Sequence, residues 1–549
     1  MVRALSASVA TLYAITLGTC VEGLIRNGTS ANATFDYVVI GGGTAGLAIA
    51  SRLSTHGSVA VIEAGGLYEK DNGNQSVVPY YGLVMPVLGV SEDYPKNSLV
   101  DWDLLSTPQA SAGGRRIHYA QGKTLGGSSA LNTMAYHRGT VGSYQRWADL
   151  VGDQSYTFAA LLPYFKRTSS LTPPNLDKRK APNASVLYDA TAFNKQPSGL
   201  LQVSWANWVD PTQSWLALAL QAIGQKLSPS GLSSGVVNGG AWVPTTIDPN
   251  DATRSTSKSS YLAAALQNTR IGPAKTLRSQ SISVISDLAG VGQNLQDQVF
   301  FNVLRGISVP NTGTYLASPA QQSSAVQLYF NNATGPYSSA GGYLSFEKLP
   351  PSSRNAFSSR TSKLLSGFAS DWPEVEYIAS GFPGSFLNLT TVGAISGTLL
   401  TPFSRGNVTI GTASILDAPV INLNWLTDPA DIEILVAAFK RVREAWNSSA
   451  IAGIVAGSEV TPGQAVSTDA EIAAFIRSAA QPIWHATSTC AMGKVTDKGA
   501  VVDSKAKVFG VRDLRVVDAS VIPFSLPGHP QSSVYMLAEK IAENILNNG

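Results

Sequence analysis

Two of the five histidines in this chain stand where a side chain is held for use rather than for packing. His485 lies in Pro482-Ile483-Trp484-His485-Ala486-Thr487-Ser488-Thr489-Cys490 and His529 in Leu526-Pro527-Gly528-His529-Pro530-Gln531, both loops by composition. One such histidine alone reads as structural, but two on loops 44 residues apart suggest joint work. An imidazole titrates near neutral pH, so one neutral ring can take a hydroxyl proton while the other hydrogen-bonds the developing alkoxide.

A second constellation, Gly41-Gly42-Gly43-Thr44-Ala45-Gly46, fits G-x-G-x-x-G. Gly41 permits a tight turn, Gly43 lets a pyrophosphate approach the backbone, and Gly46 lets helix and strand pack closely. The N-terminus of the following helix then offers free N–H groups to the phosphates. The pattern by itself is weak in a chain with 50 glycines. Its flanks strengthen it: Phe35–Ile40 reads as a strand, Leu47–Leu53 as the opening of a helix, and Val59–Glu63 as a second strand. Glu63 then carries a carboxylate for ribose hydroxyls and disfavours a 2′-phosphate, which points to FAD or NAD rather than NADP. In the third constellation, Gly122-Lys123-Thr124-Leu125-Gly126-Gly127-Ser128-Ser129-Ala130-Leu131-Asn132, glycine pairs let a backbone press against a flat ring and Asn132 can donate to a heteroatom. Composition alone reads it equally well as a flexible loop.

Positioning these loops takes more than one core. At 549 residues the chain is two joined lobes or two to four domains, and 44% hydrophobic with 14% charged residues is a globular composition. Roughly 140–265 and 300–440 alternate apolar runs with Pro, Gly, Asn and Ser clusters, a mixed sheet with flanking helices forming a substrate lobe. Near the end, Asp513–Val517 reads as a strand and Ser533–Leu546 as an amphipathic helix returning to the first lobe. Gly231-Leu232-Ser233-Ser234-Gly235 matches a nucleophile elbow but lacks the strand and helix that it needs. His56, His118 and His137 show no metal-ligand spacing, so no metal is expected.

The net charge of +3 is small and scattered, which argues against nucleic acid, and Lys178–Lys180 after Pro173-Pro174 reads as a solvated loop. Arg3, an apolar run from Ala4 to Leu17 and small residues from Gly18 to Gly23 have the order of a secretory signal peptide over 1–23, a run too short to span a membrane. A buried N-terminal helix is the alternative. Eight Asn-x-Ser/Thr sequons support export and glycosylation: Asn27, Asn32, Asn74, Asn183, Asn332, Asn388, Asn407 and Asn447. Cleavage would remove Cys20 and leave Cys490 without an intrachain partner.

From Phe35 onward, these constellations in this order resemble the glucose-methanol-choline (GMC) oxidoreductase family, most of all its branch in fungal secondary metabolism. The Gly122–Asn132 loop looks like the family's flavin-facing signature, Val291-Gly292-Gln293-Asn294-Leu295-Gln296-Asp297 like its G-V-G-x-N-L-x-D element, and His485 and His529 like its catalytic pair. The resemblance implies an α/β fold in which a Rossmann-like FAD-binding domain (35–140, 266–300, 481–549) is interleaved with a substrate-binding domain (141–265, 301–480) on a mostly antiparallel sheet with flanking helices.

It implies non-covalent FAD, with Thr44, Ala45, Glu63 and Ala64 on the ADP half. Gly127, Asn132, Thr133, Met134 and Ala135 would lie by the isoalloxazine, and Ala519, Pro530 and Gln531 would close over it. His485 would be the proton acceptor, His529 its partner, and Trp484 an aromatic packing on the substrate. The implied reaction moves a hydride from a small primary or secondary alcohol to flavin N5, with O2 or a quinone as electron acceptor. A non-redox lyase or cyclase on the same fold and a flavin-free remnant are the alternatives. Two departures stand out. Asn268-Thr269-Arg270 runs almost straight into Ile271-Gly272-Pro273 where the family carries several tens of residues, and Gln121 replaces the family's Arg before Gly122-Lys123. The protein is expected in the secretory pathway, outside the cell, in the cell wall or in a secretory vesicle, without a transmembrane anchor.

Overall fold

The structure, a computed structural model, describes residues 34–82, 97–194, 199–263, 288–383, 391–412 and 417–548. Tyr37-Val38-Val39-Ile40 and Val59-Ala60-Val61-Ile62 are apolar and β-branched enough to extend, and they pair in parallel as β1 (Tyr37–Ile40) and β2 (Val59–Ile62). Parallel neighbours need a crossover, supplied by α1 (Thr44–Leu53), whose Ala45, Leu47, Ala48 and Ile49 are buried. The period-2 alternation of β1 leaves its other side bare: Val38 and Ile40 are 56% and 73% exposed.

Helix α2 (Val141–Val151) starts on a Thr140 side-chain cap and stops at Gly152, where φ is +69°; α3 (Phe158–Thr168) follows. Helix α4 (Pro211–Ala222), capped by Asp210, opens the second lobe. Its sheet consists of β3 (Val299–Ile307), β4 (Tyr343–Glu347), β5 (Val375–Pro383), β6 (Thr391–Leu399), β7 (Val455–Thr461) and β8 (Gln481–Pro482). The spatial order is β4-β5-β6-β3-β7, with β8 also on β3, and every pairing is antiparallel. Helices α5 (Pro429–Trp446) and α6 (Asp469–Ala479) bury their apolar faces in the same core as this sheet, and α7 (Gln531–Asn548) returns to the first lobe. α2 and α3, although they follow residue 140, share the first core with α1 and α7. Glu539 of α7 is buried and takes both the Arg52 guanidinium and the Tyr261 hydroxyl at 2.9 Å, tying the two ends of the chain together.

The expected Rossmann unit, the antiparallel second sheet and the C-terminal helix are all present. Asp513–Val517 is not a strand. Asp513 has φ +57°, which breaks an extended run, and its neighbours bond locally: Val508 N–H to Leu514 O and Val516 N–H to Ala506 O. Lys258–Leu262 forms one π-helical turn. The signal peptide, the junction at 268–271, and Asn27, Asn32 and Asn388 lie outside the described residues. Asn74, Asn183, Asn332 and Asn447 are exposed and Asn407 is half-buried. No helix among the described residues is long and apolar enough to cross a membrane.

Candidate active site

The glycine turn meets the requirements of a dinucleotide. Gly41 adopts φ +93° and a Cβ there would meet open space, whereas a Cβ on Gly46 would stand 2.0 Å from the Gly41 carbonyl oxygen. Gly43 begins α1 without a side-chain cap, so the first N–H groups of the helix face outward for an anion. Glu63 directly follows β2, and its carboxylate accepts from Gly42 N–H at 2.7 Å and Gly65 N–H at 2.9 Å, which fixes it at the lip of the turn. Ala64 is exposed just beyond it. The Gly122–Asn132 segment lies against this turn, with Gly126 N–H donating to Gly42 O at 2.8 Å, and a Cβ on Gly127 would stand 2.7 Å from Gly43 Cα. These residues therefore fit a flavin dinucleotide: a cradle free of side chains, a bare helix start and an acidic lip.

From there the chain runs to Asn132, whose side-chain amide donates to Gln531 Oε1 at the start of α7, while Gln531 Nε2 donates to Thr246 Oγ1 at 3.3 Å. Asn132 Oδ1 accepts from Met134 N–H at 3.1 Å, and Met134 is buried with φ +64°. Arg254, buried and pulled down to about 10 by burial, donates to Asn132 O and Oδ1 at 2.6 and 2.9 Å. Thr133 and Ala135 continue the segment, and Pro530 stands between His529 and Gln531. Ala519 opens a short 3-10 turn, Ala519–Val521, capped by Asp518.

The two histidines do meet, with ring centroids 4.7 Å apart and planes inclined by 67°. They come from opposite sides. The strand pair β3–β8 runs on past its ends, with Gln296 bridged to Thr487, so that residues 297–298 face 483–486. Asp297 accepts from His485 N–H at 3.1 Å, and Tyr119 OH donates to Asp297 at 3.1 Å while accepting from Ala486 N–H at 3.0 Å. These bonds hold a bulky Trp484 at φ +57°, a conformation that costs roughly 1–3 kcal/mol at a non-glycine residue. Trp484 is half-buried, and its indole N–H is buried without a hydrogen-bond partner among the described residues, which makes it a candidate substrate donor. Burial pushes Asp297 up to about 7.

His529 arrives on the loop before α7. Its Nε2 lies 2.9 Å from Oε1 of Glu376, a fully buried carboxylate in β5, and its backbone N–H donates to His137 Nε2 at 2.9 Å. His137 Nδ1 lies 3.1 Å from the Arg138 carbonyl, so His137 is neutral with its hydrogen on Nδ1; burial and the nearby His529 hold it at about 3. His485 is held well below the ordinary imidazole value, first by burial and then by His529 and His137. A neutral base beside an imidazole backed by a carboxylate is an arrangement for taking a proton from a hydroxyl and steadying the oxygen left behind.

Sequence reasoning set His137 aside with the non-metal histidines, and among the described residues no group of His, Cys, Asp and Glu could hold a metal. His137 nevertheless belongs to this cluster as a support for His529. Glu376 was missed, although a lone carboxylate in the otherwise apolar Val375-Glu376-Tyr377-Ile378 run of a strand was a signal. At Gly528, φ is +91° and a Cβ would stand 2.1 Å from His137 Cε1. Gly528→Ala is therefore expected to displace His529 and cut kcat roughly 10²-fold, the scale of a 1 Å misplacement, with the visible flavin spectrum retained as the control.

The chain belongs to the GMC oxidoreductase family: its N-terminal profile matches residues 35–271 and its C-terminal profile residues 402–538. It is thus an FAD-dependent oxidoreductase of the class that acts on alcohols. Among its relatives, the dehydrogenase pkfF of Emericella nidulans is 40% identical, with 96% of this chain and 95% of the relative covered, and patulin synthase of Penicillium expansum is 40% identical, covering 95% and 93%. An FAD-dependent oxidoreductase from Chaetomium thermophilum shares the fold with a TM-score of 0.79 and 25% identity, covering 93% of this chain and 99% of that one. The alignment with pkfF spans 595 residues, more than the 549 of this chain, so the relative carries residues that this chain lacks.

Proposed function

We propose that the protein oxidises a small alcohol, aromatic or polyketide-derived, by His-assisted proton abstraction, and that it does so in the secretory pathway of a fungus. The observation that carries this reading is the neutral His485 ring 4.7 Å from His529, with Pro530 alone between His529 and the Gln531 that bonds Asn132. Bound FAD supplies the acceptor for the substrate's hydride. The substrate hydroxyl meets the nitrogen edges of the two imidazoles, whose rings are in contact. His485 removes its proton, and His529, held through Nε2 by Glu376, steadies the alkoxide. Asn132, Gln531 and Arg254, hydrogen-bonded to one another, would hold the flavin ring system, and Trp484 offers an aromatic face and an indole N–H to the substrate. The relatives named for a dehydrogenase and for patulin synthesis support redox chemistry on a secondary metabolite; O2 or a quinone then takes the electrons. Export is supported by the N-terminal residue order and the four exposed sequons.

Because His485 is held below its usual value, it stays unprotonated as the solution becomes acidic. The pH profile of kcat/KM is expected to remain level as pH falls through 6.5 and to drop only well below it; an acid limb centred at 6.5 would contradict the buried neutral base. The decisive test of the function is the visible spectrum of the purified protein before and after anaerobic addition of an aryl or allylic alcohol. Yellow protein that bleaches is expected. Yellow protein that never bleaches across a broad alcohol panel, or colourless protein, would overturn the reading.

A further inference from the structure

The residue after Asp297 has no part in the motifs read from the sequence, yet it makes the only bond that the structure gives to the His485 ring nitrogens among the described residues. Gln298 is fully buried. Its Nε2 donates to the Leu526 carbonyl at 2.8 Å and to Ser525 Oγ at 3.0 Å, and its Oε1 lies 2.8 Å from His485 Nδ1. A backbone carbonyl can only accept, so the NH2 end of the amide must point to Leu526; turned over, two oxygens would face each other at 2.8 Å. The oxygen end of Gln298 can only accept as well, so the hydrogen between it and His485 belongs to Nδ1. A neutral imidazole has one N–H, which leaves the lone pair on Nε2.

We propose that Gln298 is a positioning residue that selects the reactive tautomer of His485, keeping the hydrogen on Nδ1 and the lone pair on Nε2. It does so by anchoring on the 525–526 loop that leads to His529, so one amide sets both the tautomer and the spacing of the two histidine loops. The inference rests on the reading of His485 as the base, but the tautomer can be observed whether or not that reading holds.

The test uses FAD-loaded protein labelled with 15N-histidine, in which long-range 1H–15N correlations report each ring; there are five histidines, and His485→Ala assigns the relevant set. The expected result is a protonated Nδ1 and an unprotonated Nε2 on His485. A hydrogen found on Nε2 in the unmodified protein would overturn the proposal. Gln298→Leu removes the acceptor and is expected to lose this single-tautomer signature and to lower kcat about 10²-fold with a much smaller change in KM, the low end of what a general base contributes. Gln298→Glu, with its carboxyl hydrogen on the oxygen that faces the Leu526 carbonyl, keeps an acceptor opposite Nδ1 and is expected to restore the signature below the pH at which that carboxyl ionises. A leucine variant that folds, keeps the Nδ1–H signature and turns over normally would also sink the idea. Unbleached flavin together with the expected tautomer would refute the oxidase reading alone.

Discussion

Replacing His485 with alanine lowers kcat/KM about 10²- to 10⁴-fold while the protein stays yellow. The magnitude follows from the work assigned to the ring: of the two neighbouring imidazoles, His137 has its Nε2 occupied by the His529 N–H and His529 has its Nε2 turned to Glu376, so neither stands in for the His485 ring. Proton removal belongs to the transition state, so the loss should fall on kcat, with KM little changed. Truncation leaves the loop in place, because Asp297 and Tyr119 hold it through backbone N–H groups rather than through the imidazole. Stopped-flow reduction with the best alcohol found in the bleaching assay measures the effect. A variant reduced at the unmodified rate would remove His485 from the mechanism.

The second large effect is on the cofactor. Gly46→Ala places a methyl group 2.0 Å from the Gly41 carbonyl oxygen and 3.4 Å from Val39 Cγ1, so α1 must move away from β1. Overpacking of this kind costs about 1–3 kcal/mol. If the glycine turn shifts to relieve it, the phosphates lose their alignment with the first N–H groups of α1, and FAD is expected to bind roughly ten- to a hundredfold more weakly. Titration of FAD into the stripped protein, followed by flavin fluorescence, reads this directly. Unchanged affinity would mean that the phosphates do not rest on this turn. Val38 and Ile40 on the far side of β1 are exposed, so among the described residues the packing of β1 rests on the α1 side, which makes the glycine contact more consequential.

Much of this protein could be read along the chain. The G-x-G-x-x-G turn between two β-branched strands is a local pattern, because glycine is required there by φ and by close packing within about twenty residues. The two histidine loops declared themselves by being rare residues among Gly, Pro and Thr, and the substrate lobe by its short apolar runs, which indicated a sheet; its antiparallel order came only from the family resemblance. The Asp513–Val517 error has a local cause: apolar composition suggested extension, and one residue at positive φ prevented it.

What the sequence determined by itself, then, was the dinucleotide turn and the identity of the two imidazoles, each of which depends on residue type and near-neighbour spacing. What only the tertiary structure decided was the chemical state of those imidazoles. Glu376 reaches His529 from 153 positions away, Gln298 reaches His485 from 187 and His137 reaches His529 from 392. Protonation and tautomer depend on which charges and acceptors lie within about 3 Å and on how much water is excluded, and those are properties of neighbours in space that no stretch of chain contains.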